Sequence, residues 1–197
     1  PESTTLPGGG DFENQLLAIY LLSKHLPPNI VLYVKEHPAY WMQKGRMESI
    51  KESRSTDFYR RIVALPNVKL ISHTTESSIL IEKCLGVVTV TGTVGFEAIF
   101  KGKPVIAFGS VFYEDYPGVF RVKTAEDCTK AINEILRNKY PYHEQTMLSF
   151  LYALKKYVVP MGMFEKNFLD NNVPMVDNED RQLLVEKIIS FYREYYA

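Results

Sequence analysis

The sequence predicts an α/β fold built on a doubly wound parallel sheet, and three observations carry that prediction. Short, continuously apolar, β-branched runs recur along the chain, as expected of strands covered on both faces. Helical stretches separate these runs at the spacing of βαβ units, which calls for parallel strands joined by right-handed crossovers. The turns after the runs carry glycine, hydroxyl and histidine residues, at the places where open parallel sheets gather ligands.

A helical pattern occupies residues 11–25, with Leu16, Leu17, Ile19, Tyr20 and Leu22 on a broad apolar face and Pro27-Pro28 as its stop. The first strand run, Ile30-Val31-Leu32-Tyr33-Val34, ends at Lys35-Glu36-His37-Pro38. The same kind of run returns as Val68-Lys69-Leu70-Ile71, Gly86-Val87-Val88-Thr89-Val90 and Pro104-Val105-Ile106-Ala107-Phe108, and more weakly as Val119-Phe120-Arg121-Val122. Helices are expected over residues 57–65, 76–84, 94–101 and 125–136, the last with Ala131, Ile132, Ile135 and Leu136 facing inward. This gives a Rossmann-like domain over residues 28–140, preceded by a linker and N-terminal helix over 1–27. Residues 141–197 read as a helical C-terminal extension, with helices over 144–158 and 178–196 and a Pro/Gly/Asn-rich connection between them.

Bulk composition narrows the function. The 197 residues, 46% hydrophobic and 23% charged, suit one compact domain with a sizeable core, or that domain plus an appendage. Basic and acidic residues both number 23, so no whole-surface field draws nucleic acid or anionic lipid, and any anion site must be local. Cys84 and Cys128 give neither a metal-site spacing nor a disulfide framework, which fits a reduced, cytoplasmic compartment. No apolar run approaches the roughly 20 residues that cross a bilayer, and no signal-peptide pattern is present. Membrane association is therefore expected to be peripheral, at the inner face. The opening Pro1 and the loop-like run through Gly8-Gly9-Gly10 are expected of a piece of a longer protein.

The candidate chemistry lies just after each strand. Thr91-Gly92-Thr93-Val94-Gly95 sits between an apolar strand and a helix. Glycines let backbone N–H groups approach an anion, hydroxyls donate to its oxygens, and the helix N-terminus adds partial positive charge. Such a turn is a phosphate cradle in outline; it also fits an ordinary strand-to-helix turn capped by Thr93. It is neither of the glycine-rich patterns of ATPases and dinucleotide dehydrogenases. Glu97 follows in the first helical turn, either as a carboxylate favoured by the helix dipole or as an acceptor for a ribose diol.

His37 precedes a proline, which keeps it out of helical geometry and at the rim. With Lys35 beside it, it is a candidate donor to phosphate that stabilises a leaving nucleotide. Ser72, His73 and Thr74 occupy the corresponding place one strand on, where a capping box with Glu76, through Thr74 or Thr75, competes with a ligand role. His25 and His143 lie near helix ends and read as solvated or dipole-compensating. The stretch 41–61, with Lys44, Arg46, Lys51, Arg54, Arg60 and Arg61, reads as a solvated helical face or a basic flap. Residues 113–116 either line a sugar pocket or form a turn before Pro117-Gly118.

Three segments taken in order also resemble a known family. They are Val34-Lys35-Glu36-His37-Pro38, the run from Gly86 through Thr91-Gly92-Thr93-Val94-Gly95-Phe96-Glu97-Ala98, and Gly102-Lys103-Pro104-Val105-Ile106-Ala107-Phe108-Gly109 followed by Phe112-Tyr113. This combination, over residues 28–136, is similar to the capsule polysaccharide biosynthesis and export family, which includes Kdo transferases. The resemblance implies a GT-B architecture of two Rossmann-like domains facing across a cleft, this chain being the C-terminal, donor-binding half. It further implies a nucleotide-sugar donor, CMP-linked, with His37 at the donor phosphate, Thr91, Gly92 and Thr93 assisting, and no other cofactor or metal. The spacing from Thr91 to Glu97 matches the diphosphate- and ribose-binding turn of the UDP-GlcNAc 2-epimerase fold but replaces its Ser-Gly-Gly. The lipid-linked glycan acceptor and the catalytic base belong, on this resemblance, to an N-terminal domain absent from this sequence. A CDP-glycerol-type glycerophosphotransferase, a UDP-sugar epimerase-like enzyme and a non-catalytic nucleotide-binding module are the alternatives.

Overall fold

The computed structural model describes residues 8–37, 54–140, 142–156, 158 and 178–196. Pro38, Trp41, Lys44, Arg46, Lys51 and the connection over 159–177 lie outside the described residues. The chain divides into two compact units, Pro1–His143 and Glu144–Ala197.

The first unit alternates helices and parallel strands. A 3-10 turn, Gly10–Glu13, leads into α1, Gln15–His25, whose first turn is capped by Asn14: its side-chain oxygen accepts the Leu16 N–H at 3.3 Å. The next elements are β1, Leu32–Lys35, α2, Thr56–Val63, and β2, Val68–Ile71. They are followed by α3, Ser77–Lys83, β3, Val87–Thr89, α4, Val94–Phe100, and β4, Val105–Ala107. The series closes with β5, Val119–Arg121, and α5, Ala125–Arg137.

The strands form two parallel ribbons rather than the single ladder that the sequence suggests. β1 pairs with β2, Leu32 opposite Val68, and β3-β4-β5 form the other, with Val88 opposite Ile106 and Ile106 opposite Phe120. Side chains, not backbone bonds, join the ribbons. Leu32 of β1 and Val88 of β3 rest on one core of Phe12, Leu22, Ile106, Phe108, Val122, Cys128 and Ile132.

Alternation along β4 builds the helical layers. Ile106 faces the core shared with α1 and α5, whereas Val105 faces the opposite side, within reach of Gly95 in α4. A second core, Ile19, Phe58, Ile62 and Val68, packs α1 and α2 over β1 and β2. The expectation that the first strand is covered on both faces needs correction: Tyr33 is 56% exposed. Leu136, expected inside, is also exposed; Cys128 takes the inward position in α5.

Helix ends follow local chemistry. Thr124 accepts the Asp127 N–H at 3.1 Å, while the Asp127 carboxylate accepts the Lys123 and Thr124 N–H groups at 3.1 and 3.0 Å, a capping box. Those backbone donors, that of Lys123 first, hold the Asp127 carboxyl below the usual carboxylate range. Its contribution to stability is therefore present above the ordinary carboxylate pKa and fades as pH falls through the lowered one. Thr124→Ala is expected to destabilise the unit by about 1 kcal/mol, read as a lower urea midpoint; an unchanged midpoint would show the cap to be energetically silent. α4 ends on Gly102 at φ 64, a left-handed turn that closes the last carbonyls.

The second unit contains α6, Glu144–Lys155, and α7, Asn178–Tyr196. Lys187 donates from Nζ to the Lys156 carbonyl at 3.0 Å. Leu183, Leu184, Val185, Ile188 and Ile189 are all exposed. Among the described residues no helix is long and apolar enough to cross a membrane. Cys84 and Cys128 are free thiols.

Candidate functional site

The turn after β3 is held by groups on both sides of its backbone. Thr89 Oγ1 accepts the Gly92 N–H at 2.9 Å, and a Cβ on Gly92 would stand 2.8 Å from that oxygen. Only glycine admits the bond without displacement. From the other side, Tyr113 donates its hydroxyl to the Gly92 carbonyl at 2.5 Å, and the Gly95 N–H donates to the same phenol oxygen. Burial pushes the Tyr113 pKa up to about 12, against the opposing effect of the Gly95 bond, so the phenol stays a neutral hydroxyl. Gly95 is buried for a steric reason: a Cβ there would lie 2.9 Å from both Tyr113 Cζ and Val105 Cγ1.

These contacts refine the cradle expected from sequence. The Gly92 and Gly95 amides already have protein partners, so the anion donors expected of those two glycines are taken by the fold. Thr93 occupies the N-cap of α4 with φ −71 and ψ −12, yet its side chain makes no cap hydrogen bond, and it is exposed. The capping account of Thr93 is thereby corrected. Glu97, also exposed, lies one helical turn beyond Thr93, while Gly95, Ala98 and Ile99 are buried.

The end of β4 is packed just as tightly. A Cβ on Gly109 would stand 2.5 Å from the Gly8 carbonyl oxygen, 2.7 Å from Thr91 Cγ2 and 3.0 Å from the Val90 oxygen. Gly109 donates its N–H to Val90, and Ser110 donates to Gly8, both at 2.9 Å. The glycine run, read from sequence as part of a linker, is thus stitched to the rim beside Thr91. Arg121, at the end of β5, donates to Ser110 Oγ at 2.7 Å and to Glu114 Oε1 at 3.0 Å. Tyr113 and Tyr116 are 1% and 8% exposed, so they anchor their loop rather than line a sugar pocket.

At the end of β1 the polar residues divide. Glu36 Oε1 accepts from Arg54 Nε at 2.9 Å and from Tyr59 Oη at 3.3 Å. Arg54 also donates to Gln15 at 2.5 Å and lies 4.5 Å over the Phe58 ring. The Arg54 and Glu36 side chains are only 7% and 13% exposed, which corrects the solvated-face reading for Arg54. Glu36 is therefore committed to the fold. Lys35 is half-buried and His37 exposed.

After β2, Ser72 heads its own turn. Its Oγ lies 2.7 Å from Thr74 Oγ1 and accepts the Thr74 N–H at 3.2 Å, while its carbonyl accepts from Thr75 at 3.1 Å. The N-cap of α3 is Glu76, without a side-chain cap bond; the capping box expected from Thr74 or Thr75 does not form. His73 sits half-buried within this turn.

Ile30 and Leu32 of the β1 region, and Leu85 and Val88 of the β3 region, line one apolar cleft together with Leu26 and Ile135. The amino-terminal parts of β1 and β3 thus start side by side, and their carboxyl ends leave toward the opposite edge. Thr91 contacts Gly8 and Gly109 directly, and Gly92 contacts Thr89; Lys35 and His37 come at the carboxyl end of β1, and Ser72, His73 and Thr74 at that of its parallel partner β2. The Arg54 to Glu36 pair and the Tyr113 bracket carry no local sequence signal, because each links positions 18 or 21 residues apart.

These features define a doubly wound α/β protein with a polar rim at the carboxyl ends of its strands. The chain belongs to the capsule polysaccharide biosynthesis family, whose model, described as capsule polysaccharide biosynthesis protein, matches residues 8–155. No curated protein and no solved structure matches it significantly.

Proposed function

We propose that this chain is the donor-binding half of a GT-B glycosyltransferase of capsule polysaccharide biosynthesis, taking a nucleotide sugar, CMP-linked, at the rim. The observation that carries this reading is the close packing of Thr91 against Gly8 and Gly109, with the Thr93 hydroxyl unspent and Glu97 one turn beyond. Lys35 and His37 supply cationic or N–H donor character at the end of β1, with Ser72, His73 and Thr74 alongside.

In the reaction, an acceptor hydroxyl oxygen forms a bond to the anomeric carbon while the bond from that carbon to the phosphate oxygen breaks. The departing nucleotide takes the electron pair. His37 and Lys35 stabilise the charge that develops on the phosphate, and Thr91 and Thr93 donate to its oxygens. Glu97 accepts hydrogen bonds from the ribose diol. The acceptor, a lipid-linked glycan, and the base that takes its proton belong to a facing domain. The setting is cytoplasmic, at the inner face of the membrane.

A thermal-shift panel of CMP, CDP, UDP and ADP tests the assignment, since a ligand that binds only the native state raises stability by RT ln(1 + [L]/Kd). CMP is expected to give the largest shift. A preference for CDP turns the reading toward glycerophosphate transfer, one for UDP toward an epimerase-like enzyme, and no shift with any of the four removes nucleotide binding. His37→Ala is expected to weaken CMP binding by about 1 to 3 kcal/mol, the usual loss for a hydrogen bond to a charged group. Unchanged affinity in the folded variant removes His37 from the site.

A further inference from the structure

Tyr113 is the largest fully buried side chain among the described residues, yet it ends in a polar group whose two bonds both go to one turn. Its hydroxyl donates to the Gly92 carbonyl and accepts the Gly95 N–H. The ring is itself enclosed: it is 1% exposed, stacks on Phe96 of α4 at 5.8 Å and meets its chain neighbour Phe112 edge-on at 5.0 Å. A hydroxyl on so constrained a ring has little freedom to leave the turn, so the two hold one another in place.

The glycines make that fit possible. Gly95 leaves the room that the phenol fills, and Gly92 leaves the room that Thr89 Oγ1 fills. Three backbone polar groups are thereby fixed from within: the Gly92 N–H by Thr89, and the Gly92 carbonyl and Gly95 N–H by Tyr113. Thr91 and Thr93 flank the backbone that these bonds fix, and Thr93 is exposed with no cap hydrogen bond.

We propose that Tyr113 is a positioning residue for the donor phosphate: its hydroxyl braces the segment from Gly92 to Gly95 and so sets where Thr91 and Thr93 stand. This rests on the reading of that turn as the phosphate site. Tyr113 touches no substrate itself and acts through the backbone.

Two measurements on the full chain test it. In the wild-type protein, the Gly95 amide is expected to exchange with solvent as slowly as core amides, although first-turn helical N–H groups ordinarily lack partners; free exchange there would overturn the brace. Tyr113→Phe keeps the stacked ring and removes only the hydroxyl. Its CMP Kd, measured by titration calorimetry, is expected to rise about tenfold, the equivalent of one hydrogen bond's worth of misplacement. Ile132→Val, a core substitution in the other layer, is the control: it lowers the melting midpoint while leaving Kd unchanged. If wild type binds CMP and Tyr113→Phe binds it within twofold as tightly, the positioning role fails and the phosphate site stands. If wild type binds no nucleotide, the site reading itself fails and takes this proposal with it.

Discussion

Arg54→Met is expected to lower the unfolding free energy by about 3 kcal/mol, because it strands the Glu36 carboxylate in a place water hardly reaches. The two side chains are 7% and 13% exposed, so solvent cannot replace the lost guanidinium. Arg54 ties three elements together: the Glu36 carboxylate after β1, the Gln15 amide at the start of α1 and the Phe58 ring of α2. Tyr59 remains as a partner to Glu36, but at 3.3 Å and without charge it offsets only part of the loss. Replacing both partners, as Arg54→Met with Glu36→Leu, is expected to recover at least half of the deficit, since no uncompensated charge is then enclosed. Urea denaturation of the two variants measures this. A loss under about 1 kcal/mol in the single variant would show that the pair is surface-like after all.

Gly95→Ala is expected to be comparably severe, at about 3 kcal/mol. The added methyl group would meet the Tyr113 hydroxyl and lie 2.9 Å from both Tyr113 Cζ and Val105 Cγ1. Val105 is fully buried in β4, and Tyr113 cannot swing away without giving up its bond to the Gly92 carbonyl. Overpacking and a lost hydrogen bond therefore add. Combining Gly95→Ala with Tyr113→Phe removes the closest of the clashes, so the double variant is expected to be less destabilised than the sum of the two singles. Strict additivity in that cycle would mean that the phenol and the glycine are not in contact. The same substitution at an exposed helical glycine would be neutral or better, which makes the sign of the effect diagnostic.

The succession of strands and helices was legible in the sequence because it depends on local periodicity. Val68–Ile71 and Asn178–Tyr196 coincide with the expected bounds, and the other ends fall within three residues, except that the first α-helix starts at Gln15 rather than residue 11. Coverage was less legible. The apolar run ending at Val34 has the composition of a strand buried on both faces, but Tyr33 faces solvent, since periodicity reports what a strand could bury and not what packs on it. The split into two ribbons was likewise invisible, because strand pairing is decided between segments far apart in the chain.

At the candidate site, the glycine-bearing turns could be found from the change of period at each strand end. Their inner workings could not. Gly92 and Gly95 suggested amides open to an anion, whereas Thr89 and Tyr113 use those amides, and Tyr113 lies 21 residues from Gly92. Glu36 stands in the polar run that ends the first strand, but its carboxylate is taken by Arg54, 18 residues further on. Gly8 offered the opposite lesson: a glycine run before a helix reads as loose chain, yet here its carbonyl is a fixed acceptor for Ser110.

The separation of β1-β2 from β3-β4-β5 bears on how the rim responds to an occupant. A ladder of directional bonds locks the register of adjacent strands, but the contact between Leu32 and Val88 through a common apolar core is non-directional and tolerates small sliding. Histidine and lysine ride on one ribbon, the threonine turn on the other. On the proposed reading, a phosphate held by both would act as the missing rung between two ribbons that no backbone ladder joins.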